Sequence, residues 1–111
     1  MKKDPLVYID DIRESIEAIK RYTAGLTKED FFSSIEKQDA VYRRLEVIGE
    51  AANRLPEEFT SQYPLIPWNK IVGMRNVLIH DYDSIDLDIV WETIRRDIPK
   101  LEEYINLIPS S

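Results

Sequence analysis

Arg75, Asn76, His80 and Tyr82 lie within the stretch Arg75-Asn76-Val77-Leu78-Ile79-His80-Asp81-Tyr82, and His80 is the only histidine in the chain. These side chains suit chemistry on a phosphodiester. A guanidinium clamps a phosphate with a fork of N–H donors, an amide orients an oxygen, and an imidazole moves a proton near neutral pH. A plainer explanation stands beside this one. A histidine at the end of a helix interacts favourably with the helix dipole, and an arginine nearby often pairs with a carboxylate.

Spacing constrains the chemical reading. On an ideal α-helix Asn76 and His80 share a face, whereas Arg75 and His80 stand about 140° apart. Arg75 and His80 converge if the helix frays near His80, or if a second chain supplies the other partner. Cleavage through a ribose 2′-OH needs a base for that proton and usually an acid for the leaving oxygen. With one histidine per chain, an enzyme of this type is expected to be a twofold homodimer, which brings two His80 and two Arg75 residues together.

The elements that must position these residues are legible as apolar stripes. Leu6, Ile9, Ile12, Ile16 and Ile19 recur at spacings of three and four and predict a helix over about 5–24, with Gly25 as its C-terminal cap. Thr27 and Asp30 predict a short helical turn carrying Phe31 and Phe32. Ser33 with Glu36 reads as a capping box opening a second long helix, with Val41, Leu45, Ile48, Ala52 and Leu55 on one face. Pro56 stops that helix or starts a fresh turn. Pro67 reads as the first residue of a third helix through Trp68, Ile71, Val72, Met74, Val77, Leu78 and Ile79. A turn and N-cap over Asp81–Asp86 lead to a last helix bearing Leu87, Val90, Ile94, Ile98, Leu101, Ile105 and Ile108, with a kink at Pro99. No segment alternates with the period of a strand. The expected fold is all-α: an up-and-down bundle of four main helices with one or two short extra turns, forming a single domain over residues 1–111.

Composition narrows the function. The chain has no cysteine, which removes disulfides and thiolate metal sites and points to the cytoplasm. No apolar run matches a secretory signal or a membrane span. A net charge of −6 means that any nucleic-acid contact must be local, made by a few arginines, and salt-sensitive. Asp81, Asp83 and Glu92 occupy positions one, three and twelve of a calcium loop, but Ile85 and Asp86 stand where that loop needs a ligand and a glycine. No metal or cofactor is expected.

In the second long helix, Arg43, Glu46, Glu50 and Asn53 form a polar strip, a solvated face by default. Gly49, Ala51 and Ala52 are small enough to admit a close neighbour. A sharper expectation is that Glu50 or Glu46 reaches across the bundle to orient Arg75. Trp68 and Trp91 are expected as core or interface anchors rather than base-stacking platforms.

Taken together, Arg75, four residues, His80, one residue and Tyr82 resemble the R-x4-H-x-Y motif of HEPN-domain proteins, with Asn76 as the polar residue after the arginine. The segment Arg44-Leu45-Glu46-Val47-Ile48-Gly49-Glu50-Ala51-Ala52, and Trp68 ahead of Ile71-Val72-Gly73-Met74-Arg75-Asn76, is similar to the HepT-like branch. This resemblance implies a helical homodimer acting as a metal-independent endoribonuclease, the toxin of a toxin–antitoxin pair. The implied partner is a small MntA-type nucleotidyltransferase that silences the toxin by adding AMP to the motif tyrosine, here Tyr82. The implied roles are proton exchange for His80, charge stabilisation for Arg75, hydrogen bonding for Asn76 and RNA positioning for Tyr82. The alternative is a non-catalytic helical module that docks such a nucleotidyltransferase.

Overall fold

The computed structural model describes residues 4–76 and 86–110. Helix α1 (Pro5–Thr23) starts where Asp4 accepts a hydrogen bond from the Leu6 N–H at 2.9 Å and Pro5 takes a first-turn position that needs no donor. It ends at Ala24, and Gly25 follows at φ 75°, a left-handed turn that glycine adopts without steric cost. The Thr27–Asp30 capping box forms and opens α2 (Lys28–Phe32). Helix α3 (Ile35–Asn53) is capped by Ser34, whose hydroxyl accepts from the Lys37 N–H. The cap therefore falls one residue after the expected Ser33, because Ser33 is taken up in closing α2.

Pro56 starts a fresh turn, α4 (Glu57–Thr60). Pro67 is the N-cap of α5 (Trp68–Val72) rather than its first helical residue, at φ −79° and ψ 74°. The indole N–H of Trp68 donates to the carbonyls of Thr60 and Tyr63, both at 3.2 Å, and Phe59 packs against its ring. That pins the proline-rich connection to the start of α5. Helix α5 is interrupted as an α-helix after Val72, where it tightens into a 3-10 turn over Gly73–Arg75, and Asn76 is helical again. Its predicted continuation through Val77, Leu78 and Ile79 lies outside the described residues.

Asp86 caps α6 (Leu87–Glu92) by accepting from the Asp88 and Ile89 N–H groups. A π-helical turn over Thr93–Asp97 then leads into α7 (Ile98–Ile105). The irregularity expected at Pro99 is thus displaced into the preceding turn. Proline lacks an N–H and its ring crowds the carbonyl four residues earlier, so a wider turn there relieves the clash.

Over the described residues the result is an all-α up-and-down bundle of four main helices, the last running through α6, the π turn and α7, with two short extra helices, α2 and α4. Every residue of the predicted stripes that is described is buried or packed on the core. Ile9, Ile12, Ile16 and Ile19 interlock with Val41, Leu45 and Ile48 along α1 and α3, and Ile98, Leu101 and Ile105 close the core from α7. Phe31 is fully buried and stacks on Trp91, with ring centroids 5.6 Å apart, making α2 a lid between α3 and α6. Both tryptophans therefore act as structural anchors. Among the described residues no helix is long and apolar enough to cross a membrane.

The free carbonyls at the end of α7 are met by Arg13, whose guanidinium donates to Ile108 O at 3.0 Å. About two turns along α1, Lys20 bonds Glu102 at 2.8 Å. Its ammonium holds the Glu102 carboxyl below the usual 4.5, and Glu102 holds Lys20 above 10.5. A lowered carboxyl stabilises the fold above its unfolded pKa, and that contribution disappears as pH falls through the folded value. The raised lysine loses its share only in strong alkali. We expect Glu102→Gln to lower the urea midpoint at pH 7 by an amount equivalent to about 0.5 kcal/mol. The gap to wild type should narrow as pH falls past 4.5 and vanish below the lowered folded pKa of Glu102; a gap that persisted in strong acid would exclude the ion pair as its cause.

Candidate active site

Arg75 ends the 3-10 turn that extends α5. In such a turn residues three apart eclipse one another, so Val72 and Arg75 present the same side to α3. The residue of α3 that meets them is Gly49. A Cβ built on Gly49 would lie 2.8 Å from Arg75 Cβ and 3.0 Å from the Val72 carbonyl oxygen. The glycine is needed here for the space its missing side chain leaves, not for an unusual backbone angle. It lets the root of the Arg75 side chain press directly on α3.

With its root fixed there, the guanidinium reaches the next residue of α3. Arg75 Nη1 donates to Glu50 Oε1 at 2.5 Å, with the arginine side chain 26% exposed and the glutamate 46% exposed. The Arg75 Nε is buried without a partner among the described residues. A guanidinium held by one carboxylate and only partly open to solvent is pre-oriented. Glu46, the other acid considered for this role, is paired with Arg43 at 2.9 Å on the exposed side of α3. The two glutamates are one turn apart, but Glu46 has a local partner three residues away and Glu50 faces the 3-10 turn.

Asn76 follows Arg75 directly, is exposed, and closes the turn by donating its backbone N–H to the Gly73 carbonyl. Its side chain is open to solvent. His80 and Tyr82 lie outside the described residues, as do Asp81 and Asp83 of the rejected calcium loop. Among the described residues no group of acids or histidine could hold a metal ion.

The contribution of Gly49 had been read only as smallness next to Ala51 and Ala52. Spacing along α3 alone does not reveal which side chain presses on it. The glycine-glutamate pair becomes informative only once the turn bearing Arg75 is known to lie against it.

The chain belongs to the ribonuclease HepT-like family, whose model matches residues 12–108. It is 50% identical over 105 residues, 95% of its length, to the "Gamma-glutamylcyclotransferase and putative RNase" of Methanocaldococcus jannaschii, of which it spans 47%. It is 41% identical over 102 residues to the "Probable ribonuclease HepT" of Thermococcus cleftensis, covering 92% of this chain and 93% of that protein. The tri-AMPylated HEPN toxin of Shewanella oneidensis, solved in complex with the MNT antitoxin, superposes with a TM-score of 0.68 at 24% identity over 96% of this chain and 97% of that one. At that identity the likeness is one of fold.

Gly49→Ala separates two opposed effects. Helix propensity alone favours alanine by about 0.5–1 kcal/mol, whereas forcing a methyl into a packed contact costs about 1–3 kcal/mol. Because one of the atoms it meets is a backbone carbonyl, the second effect should win. We expect a lower thermal midpoint for Gly49→Ala; an unchanged or raised midpoint would mean that the close approach is not tight.

Proposed function

We propose that this chain is the toxin of a toxin–antitoxin pair, a metal-independent endoribonuclease that cuts RNA through Arg75, Asn76 and His80 in a homodimer. The observation that carries this reading is the Arg75–Glu50 pair seated on Gly49. A purely structural surface arginine needs no such clearance, and the family supplies the reaction class.

In this reading His80 takes the proton of a ribose 2′-OH as that oxygen attacks the adjacent phosphorus. The P–O5′ bond breaks, the leaving oxygen collects a proton, and the products end in a 2′,3′-cyclic phosphate and a 5′-OH. An imidazole with an unperturbed pKa of about 6.5 suits either transfer. A second His80 across a twofold axis serves the other. Arg75 stabilises the added charge on the phosphorane-like transition state, and Asn76 orients a phosphate oxygen. Glu50 acts through Arg75 by fixing its direction. The cognate antitoxin is an MntA-type nucleotidyltransferase. AMP added to Tyr82 would bring bulk and negative charge to the place an RNA phosphate must approach.

The test is cleavage of end-labelled total RNA by purified protein in EDTA. Wild type should leave cyclic-phosphate ends. His80→Ala should lose about 10²–10⁴-fold and Arg75→Ala about 10²–10³-fold. No cleavage by folded, dimeric protein unmodified at Tyr82 would instead favour a module that docks the nucleotidyltransferase.

Glu50→Ala is expected to lower kcat by up to about 100-fold while the protein stays folded, and Glu46→Ala to leave kcat near wild type. Equal effects of the two would remove the positioning role of Glu50.

A further inference from the structure

The other side of Glu50 opens onto a cleft between α1 and α3, with a volume of about 260 Å³ and lined by Tyr8, Asp11, Arg43, Val47, Glu50 and Arg54. Arg43, Val47, Glu50 and Arg54 follow at spacings of four, three and four, so they form one strip along α3. The two arginines stand at its ends and Glu50 between them. At 1.5 Å per residue they are separated by roughly 16 Å along the axis. That is about five nucleotides of a stacked strand at roughly 3.4 Å each.

The chain has a net charge of −6, whereas the two arginines of this cleft offset its two acids, Asp11 and Glu50. Glu50 is bonded to Arg75 and Glu46 to Arg43. Arg54 is exposed and has no acidic partner among the described residues. The remaining carboxylate, Asp11 on the opposite wall, is exposed and can accept a hydrogen bond from a ribose 2′-OH, a group that RNA has and DNA lacks. The Arg43–Glu46 pair is exposed at both ends, 71% and 50%, and a pair so open to water holds its arginine weakly enough for a phosphate to take over.

We infer that this cleft is the path of single-stranded RNA to Arg75, with Arg43 and Arg54 as positioning residues that contact phosphates on either side of Glu50. The inference rests on the ribonuclease reading above and adds to it the residues that hold the substrate. It also reconciles an acidic protein with an acidic substrate: binding is confined to a short strip and is strongly salt-dependent.

The test uses a fluorescent RNA oligonucleotide of a dozen nucleotides bound to protein carrying His80→Ala, which keeps every 2′-OH and reports binding without turnover. Each phosphate contact on a single strand contributes about 0.7 to the slope of log affinity against log salt, or about fivefold at 0.1 M salt. Arg43→Gln and Arg54→Gln should each weaken binding by about that factor, and the double variant by roughly 25-fold with a slope lower by about 1.4. In cleavage of unmodified RNA the variants should raise KM and leave kcat unchanged. Arg96→Gln, the same charge change on the Arg96–Glu92 pair of the 87–105 segment, should behave as wild type in both assays.

If wild type cleaves RNA through His80 but the cleft variants match Arg96→Gln, the inference is overturned and the ribonuclease reading stands. If wild type neither binds nor cleaves, both fall. A loss of dimer mass in the double variant would identify the cleft as an interface between copies and would also overturn it.

Discussion

The contact between Gly49 and the root of Arg75 governs the geometry around it. Two backbones approach there more closely than any side chain on Gly49 would allow. The 3-10 turn is part of the same fit, since its threefold repeat brings both the Val72 carbonyl and the Arg75 Cβ onto one glycine. Once the side chain is pinned at its base, a single carboxylate one residue further along α3 suffices to capture its other end. Adjacent positions on one helix therefore make the room and hold the guanidinium. Neither could do both, because a residue with a carboxylate has a Cβ.

This arrangement requires α3 to be rigid and α5 to be held in register against it. Helix α3 is fixed by burial of Val41, Leu45, Ile48, Ala51 and Ala52, which alternate along its inner side. The start of α5 is fixed by the two hydrogen bonds of the Trp68 indole to the chain before it, so the proline-rich connection cannot slide. Ile71 and Met74 then anchor the inner side of the turn in the core.

The main helices could be read from the sequence because burial follows a 3.6-residue period, and nearly every residue of the four stripes packs inward. Details that depend on competition between neighbouring groups were less legible. Ser33 and Ser34 are chemically equivalent caps, and the choice between them is made by where α2 ends. Pro67 fits both the first helical position and the cap, and the Trp68 N–H bonded to Ile66 decides for the cap. Neither the 3-10 turn nor the π turn has a residue signature of its own, since each arises from packing or from a proline further along. For the acids, helical spacing put both Glu46 and Glu50 on the polar strip. Only the position of the turn bearing Arg75 separated the glutamate with a long-range partner from the one with a local partner.

An arginine bound to a carboxylate seems at first poorly prepared to receive a phosphate, because the two anions compete for one cation. The geometry resolves the conflict. Glu50 engages Nη1 alone, and a guanidinium has five donors spread over three nitrogens. Occupying one of them removes the rotational freedom of a long side chain while leaving others for a second anion, so less entropy is lost when that anion arrives. In a chain of this acidity the same pair keeps Arg75 from collapsing onto any other nearby carboxylate, and its direction is set before a second anion arrives.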